Sequence, residues 1–208
     1  MSKTYYDTPL WDSSLSIEER LDYLLSEMTL EEKIQSMGTG NPEIERLGVP
    51  AFQVGGEAAH GVQARHDQKF DDNEPDLTTI FQNPIGMSAS FDEELIRKAG
   101  KVVGTEVRGL YSREHEGILS VWAPTIDMER DPRWGRTEEA YGEDPLLTGK
   151  MAGAYVEGLQ GEDDHYLLTA ATLKHFYANN VEEGRVWKSS TVSPRNKWEY
   201  YLEPFRQV

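Results

Sequence analysis

Three short sets of residues in this chain have types and spacing that could do chemistry. Gly55-Gly56-Glu57-Ala58-Ala59-His60-Gly61 follows an apolar run at 49–54. Asp127-Met-Glu-Arg-Asp-Pro-Arg-Trp-Gly-Arg136 follows a run at 118–123, and Lys174-His175 closes a run that begins at Tyr166. In parallel α/β architectures, functional groups collect at the carboxyl ends of strands. If the three runs are strands, then Glu57, Arg136, Lys174 and His175 share one rim, with Trp122 and Trp134 nearby. Charged, fork-like groups grip vicinal hydroxyls, and an indole face packs on the C–H face of a sugar ring. The rim therefore suits a neutral, hydroxyl-rich ligand.

Each residue also has a plainer reading. A lone Glu after a strand often serves as a solvated loop residue or a helix cap. Arg136 lies among Asp131, Glu138 and Glu139 and could be only an ion-pair partner. Lys174-His175 is harder to dismiss, because burying two such side chains in an apolar strand without a use is costly. His60 and His66 have no cysteine near them, so no metal site is expected. Asp127-x-Glu129-x-Asp131 mimics a calcium-loop spacing, but Pro132 stands where the loop needs Gly. Gly55-Gly56 lacks the Gly-Lys-Ser/Thr of a phosphate loop and the dinucleotide fingerprint.

Composition narrows the classes. The chain has 208 residues, enough for one ordinary domain, with 37 acidic and 21 basic residues and a net charge of −16. Such a balance argues against non-specific nucleic-acid binding and against docking on an anionic membrane. With no cysteine, disulfides and thiolate nucleophiles are excluded. Ten Tyr, six Phe and five Trp supply a sizeable core. No apolar stretch approaches a membrane span. The N-terminus lacks the apolar region of a signal peptide, so a soluble cytoplasmic protein is expected.

The elements that would position the rim follow from local signals. After a lead-in at 1–15, Ser16-Ile-Glu-Glu19 and Thr29-Leu-Glu-Glu32 are capping boxes opening two short helices in tandem, with Gly38 as a stop. Leu21, Leu24, Leu25 and Met28 carry the first apolar stripe. A buried strand is expected at 49–54, ended by Gly55-Gly56, and an acidic surface loop at 67–76. Asp92 caps a long helix with a stripe of Leu95, Ile96, Ala99, Val102, Val103, Val107 and Leu110. A strand at 118–123 leads into a charged, loop-like stretch at 125–143. Asp144-Pro145 starts a helix carrying Leu147, Met151, Ala154, Tyr155 and Leu159, with Gly161 past its end. A strand is expected from Tyr166 to Phe176, and a last helix from Ser193-Pro194 with Trp198, Tyr201, Leu202 and Phe205. Strand and helix thus alternate three times, which predicts a parallel sheet with covering helices. A closed (β/α)8 barrel needs eight strands and about 250 residues. The expectation is therefore an α/β fold forming the N-terminal part of a TIM-like barrel, incomplete in this chain, whose last helix runs into Val208.

At this point the residues resemble the N-terminal domain of family 3 glycoside hydrolases, a group of exo-acting β-glucosidases and β-xylosidases. The match is carried by Leu24-Leu-Ser-Glu-Met-Thr-Leu-Glu-Glu-Lys33 and Glu57-Ala-Ala-His-Gly61, by Trp122-Ala-Pro and Arg130-Asp-Pro-Arg-Trp-Gly-Arg136 with Tyr141-Gly-Glu-Asp-Pro145, and by Lys174-His-Phe176. The order and spacing agree from about residue 17 to 208. The resemblance implies that Glu57, Arg136, Lys174 and His175 contact the hydroxyls of the non-reducing sugar. It implies a carbohydrate partner, no nucleic acid, no membrane, and neither metal nor organic cofactor. Oligomeric state is left open, as is the choice among glucose, xylose and other sugars.

The chain also departs from the family pattern. Gln82 stands where members commonly have Pro. Lys174-His-Phe176 is followed by Tyr177-Ala-Asn-Asn180 rather than a Pro-Gly-His-Gly type sequence, which disfavours the N-acetylglucosaminidase branch. Retaining enzymes need two carboxyl groups about 5–5.5 Å apart. The family's nucleophile is an Asp in a later Ser-Asp motif, and its acid/base Glu lies further on, generally in a second domain. Both are expected beyond residue 208, which makes this chain a fragment that is inactive alone. The alternatives are a non-catalytic sugar-binding or pseudo-enzyme module and a half barrel completed by a second copy. Against the module stands the exposure of strand edges and apolar helix faces that half a barrel entails.

Overall fold

The computed structural model describes residues 5–38, 40–63, 77–114 and 119–208. His66, the expected acidic loop and Ile118 lie outside them. The chain divides into two units, Met1–Val54 and Gly55–Val208.

In the first unit, local chemistry fixes the elements. Helix α1 (Ile17–Glu27) opens on Ser16, whose hydroxyl accepts from the Glu19 N–H while the Glu19 carboxylate accepts from the Ser16 N–H. Helix α2 (Leu30–Gln35) repeats the reciprocal cap with Thr29 and Glu32 and ends at Ser36, short of Gly38. Arg46 donates to both Glu32 oxygens, at 3.1 and 2.5 Å, and to the Glu27 carbonyl at 2.7 Å. That fork, with the Thr29 N–H, holds the Glu32 carboxyl down at about 2. Met28, Ile44 and Leu47 form a small core with Leu24 and Val49 against it. Ile17, Leu21, Leu25, Leu30 and Ile34 stay exposed, so the expected stripe is buried only in part. Strand β1 (Gly40–Asn41) pairs antiparallel with strand β2 (Phe52–Gly56), Gly40 facing Gln53 and Asn41 facing Phe52. The expected strand at 49–54 is shifted toward the C-terminus. Val49 instead bridges back to Ile44 across the turn at 45–48. Phe52 is exposed, and Gly55 and Gly56 belong to the strand rather than ending it.

In the second unit, helix α3 (Pro84–Ser88) precedes helix α4 (Glu93–Glu114), whose Leu95 N–H is capped by the Asp92 carboxylate at 3.0 Å. Ile96, Ala99, Val103 and Val107 face the core, while Leu95 and Val102 point out. Strand β3 (Ser120–Val121) is followed by helix α5 (Pro145–Gln160), capped by Asp144 and stopped at Gly161 as the sequence predicts. Strand β4 (Ala170–Ala171) runs parallel to β3, with Ser120 facing Ala170 and Val121 facing Ala171. The expected strand from Tyr166 to Phe176 is thus mostly irregular. The Asp163 carboxylate accepts the His165 and Tyr166 N–H groups, which holds the start of that run in a turn and leaves Tyr166 exposed. Helix α6 (Pro194–Asn196), a π-helical turn (Lys197–Tyr201) and helix α7 (Glu203–Gln207) replace the single last helix. Pro204 has no N–H to continue the ladder, and the register changes in the turn before it. Trp198 is exposed there, and Tyr201 is buried. Among the described residues, no helix is long and apolar enough to cross a membrane.

The core of this unit packs α4 and α5, which carries Tyr155, together with Tyr141, Ile126 and Val121. The two helices touch backbone to backbone. A Cβ on Gly104 would stand 2.5 Å from the Leu159 carbonyl oxygen, and one on Gly158 2.7 Å from the Lys101 nitrogen. Nothing lies within 4 Å of the space beside Gly153, on the same helix. Gly158→Ala should therefore force the helices apart and cost roughly 1–3 kcal/mol, a drop in Tm of several degrees. Gly153→Ala should instead raise Tm slightly, by up to about 1 kcal/mol of helix propensity. Thermal melts of the two variants check this; equal Tm values would refute the tight seam.

Candidate functional site

The parallel pairing of β3 and β4 continues past the strands as single bonds. Thr125 bridges Lys174, the Lys174 N–H donates to the Pro124 carbonyl at 3.2 Å, and the Ile126 N–H donates to the Lys174 carbonyl at 2.8 Å. On the other side, the Trp122 N–H donates to the Gly56 carbonyl at 2.6 Å. Gly55 has φ +115°, and a Cβ there would lie 2.7 Å from the Trp122 ring, so only glycine lets the indole close over this backbone. The carboxyl ends of three chain segments are thereby brought side by side. They line an open cleft of about 1320 Å³.

All four residues singled out from the sequence line this cleft. The Lys174 ammonium donates to Glu57 Oε2 at 2.7 Å. Arg136 donates through Nε and Nη2 to the two Glu139 oxygens, at 2.6 and 2.5 Å, and its Nη1 lies 3.0 Å from His175 Nε2. Those bonds leave further N–H groups on both Lys174 and Arg136 available to ligand oxygens. Burial works to raise the Glu139 carboxyl, but the Arg136 guanidinium outweighs it and holds it below the usual value.

Asp127 and Glu182, also at the site, were not assigned to it from the sequence. Asp127 is fully buried, and its carboxylate accepts His175 Nδ1–H at 2.7 Å, the His175 backbone N–H at 2.9 Å and the Asn179 N–H at 3.3 Å. Glu182 lines the cleft and accepts from Trp134 Nε1 at 3.1 Å, Asn179 Nδ2 at 3.3 Å and Arg185 at 2.8 Å. Trp134 is itself buried, so it orients Glu182 rather than offering a face to a ligand; Trp122 is the indole that lines the cleft. His60 also lines it, with Nδ1 3.2 Å from the Phe81 carbonyl. A carbonyl only accepts, so Nδ1 carries a proton. Each cation of the cleft has a carboxylate partner: Lys174 with Glu57, Arg136 with Glu139, Arg185 with Glu182. Such an arrangement can hold neutral, polyhydroxylated ligands and presents no surplus positive charge to an anion.

The stretch at 125–143, read as a charged loop, is irregular but largely interior. Thr125, Ile126, Asp127, Met128, Trp134, Ala140 and Tyr141 are buried. One acid in it sits in an unfavourable environment. Burial, with Glu143 nearby as a second cause, pushes the Glu129 carboxyl up to about 7. Its Oε1 is buried without a hydrogen-bond partner among the described residues.

Comparison with known proteins identifies the family. Residues 29–208 match the Glycosyl hydrolase family 3 N terminal domain. The chain belongs to that family, and its α/β fold is part of a TIM-barrel-like domain. An exo-1,4-beta-xylosidase of Emericella nidulans is 38% identical over 205 residues, covering 96% of this chain and 27% of the relative. A GH3 exo-beta-xylosidase solved with a xylobiose aziridine activity-based probe superimposes with a TM-score of 0.84 at 32% identity, over 99% of this chain and 27% of the other. A beta-glucosidase from Kluyveromyces marxianus, in complex with glucose, gives a TM-score of 0.76 at 35% identity over 90% of this chain and 21% of its own. The chain thus spans about a quarter of the length of such relatives.

Glu129 makes a pH-dependent prediction. Its folded value of about 7 lies above the ordinary 4.5. Between those values the folded state binds the proton more tightly, so stability is lost as pH rises through that window, and the loss is complete above it. Glu129→Gln mimics the protonated form. Its Tm should exceed that of the unsubstituted protein by more at pH 8 than at pH 5. An unchanged difference across that range would remove the assignment.

Proposed function

We propose that the whole protein is an exo-acting, retaining β-glycosidase, and that residues 1–208 supply the side of the cleft that holds the non-reducing sugar. The observation that carries this reading is the charge-matched rim. Glu57, Arg136, Lys174 and His175 come together in one cleft, with donors to spare and no excess cation. Glu57 would accept from a sugar hydroxyl. Lys174 and Arg136 would donate to hydroxyl oxygens, and His175 would complete the grip. Contacts that tighten as the ring flattens toward an oxocarbenium-like transition state accelerate the reaction. Trp122 offers an apolar face to the ring. A terminal β-xylosyl unit is the favoured substrate, supported by the β-xylosidases among the relatives, with β-glucosyl as the runner-up.

Of the carboxylates that line the cleft, Glu57, Glu139 and Glu182 are each engaged by a cation, and the fourth, Glu138, is solvent-exposed. The reading therefore assigns the nucleophile and the acid/base, which retention requires about 5–5.5 Å apart, to carboxyl groups outside residues 1–208. The nucleophile would attack the anomeric carbon while the acid protonates the leaving oxygen, and water would then release the sugar.

The test uses the full-length protein with an aryl β-xyloside and an aryl β-glucoside, following the anomer first released by NMR. Hydrolysis releasing the β anomer supports the reading. Release of the α anomer would overturn retention, and sugar binding without hydrolysis would favour a non-catalytic module. Lys174→Ala should lower kcat/KM by at least about 100-fold, on the order of 3 kcal/mol. A loss below about tenfold would remove Lys174 from the site.

A further inference from the structure

Asp127 belongs to none of the roles just assigned, yet its geometry decides what His175 can do. We infer that Asp127 is a positioning residue that locks the His175 ring with its proton on Nδ1, so that Nε2 is held as an acceptor at the cleft. The part of this inference that concerns sugar holding rests on the proposed function; the part that concerns the tautomer does not.

Two independent partners fix the ring. A carboxylate has no proton to give, so the 2.7 Å contact between Asp127 Oδ2 and His175 Nδ1 places the hydrogen on Nδ1. A guanidinium has no acceptor, so the 3.0 Å contact between Arg136 Nη1 and His175 Nε2 requires the lone pair on Nε2. Both ends of the imidazole therefore demand the same tautomer. The same Asp127 oxygen takes the His175 backbone N–H at 2.9 Å, tying ring and main chain to one point. Because the Asp127 side chain is fully buried, water does not compete for the bond. Nε2 then serves an Arg136 N–H or a hydroxyl of the sugar, but does not donate.

Without the carboxylate, nothing on this side of the ring would select between its nitrogens. Asp127→Ala removes the acceptor of the Nδ1 proton and of the His175 backbone N–H together. The ring proton would then be shared with Nε2, where it would oppose the Arg136 N–H. A wrong tautomer in an otherwise intact site costs orders of magnitude in catalysis, as the Asp of a Ser-His-Asp triad illustrates.

The experiment labels the histidines of the full-length protein with 15N and records long-range proton–nitrogen correlations at neutral pH, with His175 assigned from its loss in His175→Gln. The expected spectrum shows His175 protonated on Nδ1 alone. In Asp127→Ala a population protonated on Nε2 should appear. A native ring protonated on Nε2, or on both nitrogens, overturns the inference, as does a variant with an unchanged tautomer. A merely structural Asp127 would lower Tm and leave the tautomer alone. The kinetic arm measures kcat/KM on an aryl β-xyloside. Asp127→Ala should lose at least about 100-fold in the native background and less than about threefold in His175→Gln, because the two act as one unit; additive losses would overturn it. If Asp127→Ala does not fold, the native spectrum decides alone. If the full-length protein lacks glycosidase activity, the proposed function fails while the tautomer result stands, so the two failures are told apart.

Discussion

A carboxylate without solvent contact must be satisfied within the protein, and Asp127 meets that demand with three N–H groups drawn from the segment after β4. The bond to His175 joins residues 48 apart in the chain. It ties the exit of β3 to the exit of β4, where strand pairing has already ended. Asn180 adds a second tie, donating to the Met128 carbonyl at 2.7 Å. The positions of Arg136 and His175 follow from these bonds, because Arg136 reaches the ring that Asp127 holds.

Beneath the cleft, the α4–α5 seam sets the scale of the packing. Gly100, Gly104 and Gly158 let the two backbones meet, and α5 then reaches under the site, where the buried Tyr155 hydroxyl donates to the Ala58 carbonyl at 2.5 Å. That bond anchors the residue next to Glu57. Burial pushes the Tyr155 phenol upward, so it remains a donor at any ordinary pH. The segment at 77–83 is fastened to the same helix layer, since the Thr79 N–H and hydroxyl both donate to Glu106 of α4. Core packing and site geometry are thus one construction.

The acidity of the chain is largely balanced in the cleft. A net charge of −16 describes the whole molecule, whereas the lining cations are matched one to one by carboxylates. Partly buried pairs of this kind gain little net stability over apolar packing, because desolvation offsets their attraction. Their use is directional: they point charged donors and acceptors in fixed directions without leaving a surplus cation to select anions.

What the sequence determined by itself is what depends on neighbours in the chain. The capping boxes at Ser16 and Thr29, the Asp144-Pro145 start and the Gly161 stop were legible because a side chain bonding to a backbone three residues away needs no tertiary context. The strand-end positions of Glu57, Arg136, Lys174 and His175 were legible because each follows an apolar run, and the structure brings all four to one cleft. The extents of the strands were not. Tyr166 and Leu167 are as apolar as core residues, but pairing requires a neighbour in register, and the Asp163 turn takes the N–H groups at its start first. Nor could the sequence tell Asp127 and Glu182 from the solvated acids around them. Which carboxylate is buried beside a histidine and which faces water is decided by contacts about fifty residues apart, and only the folded chain makes them.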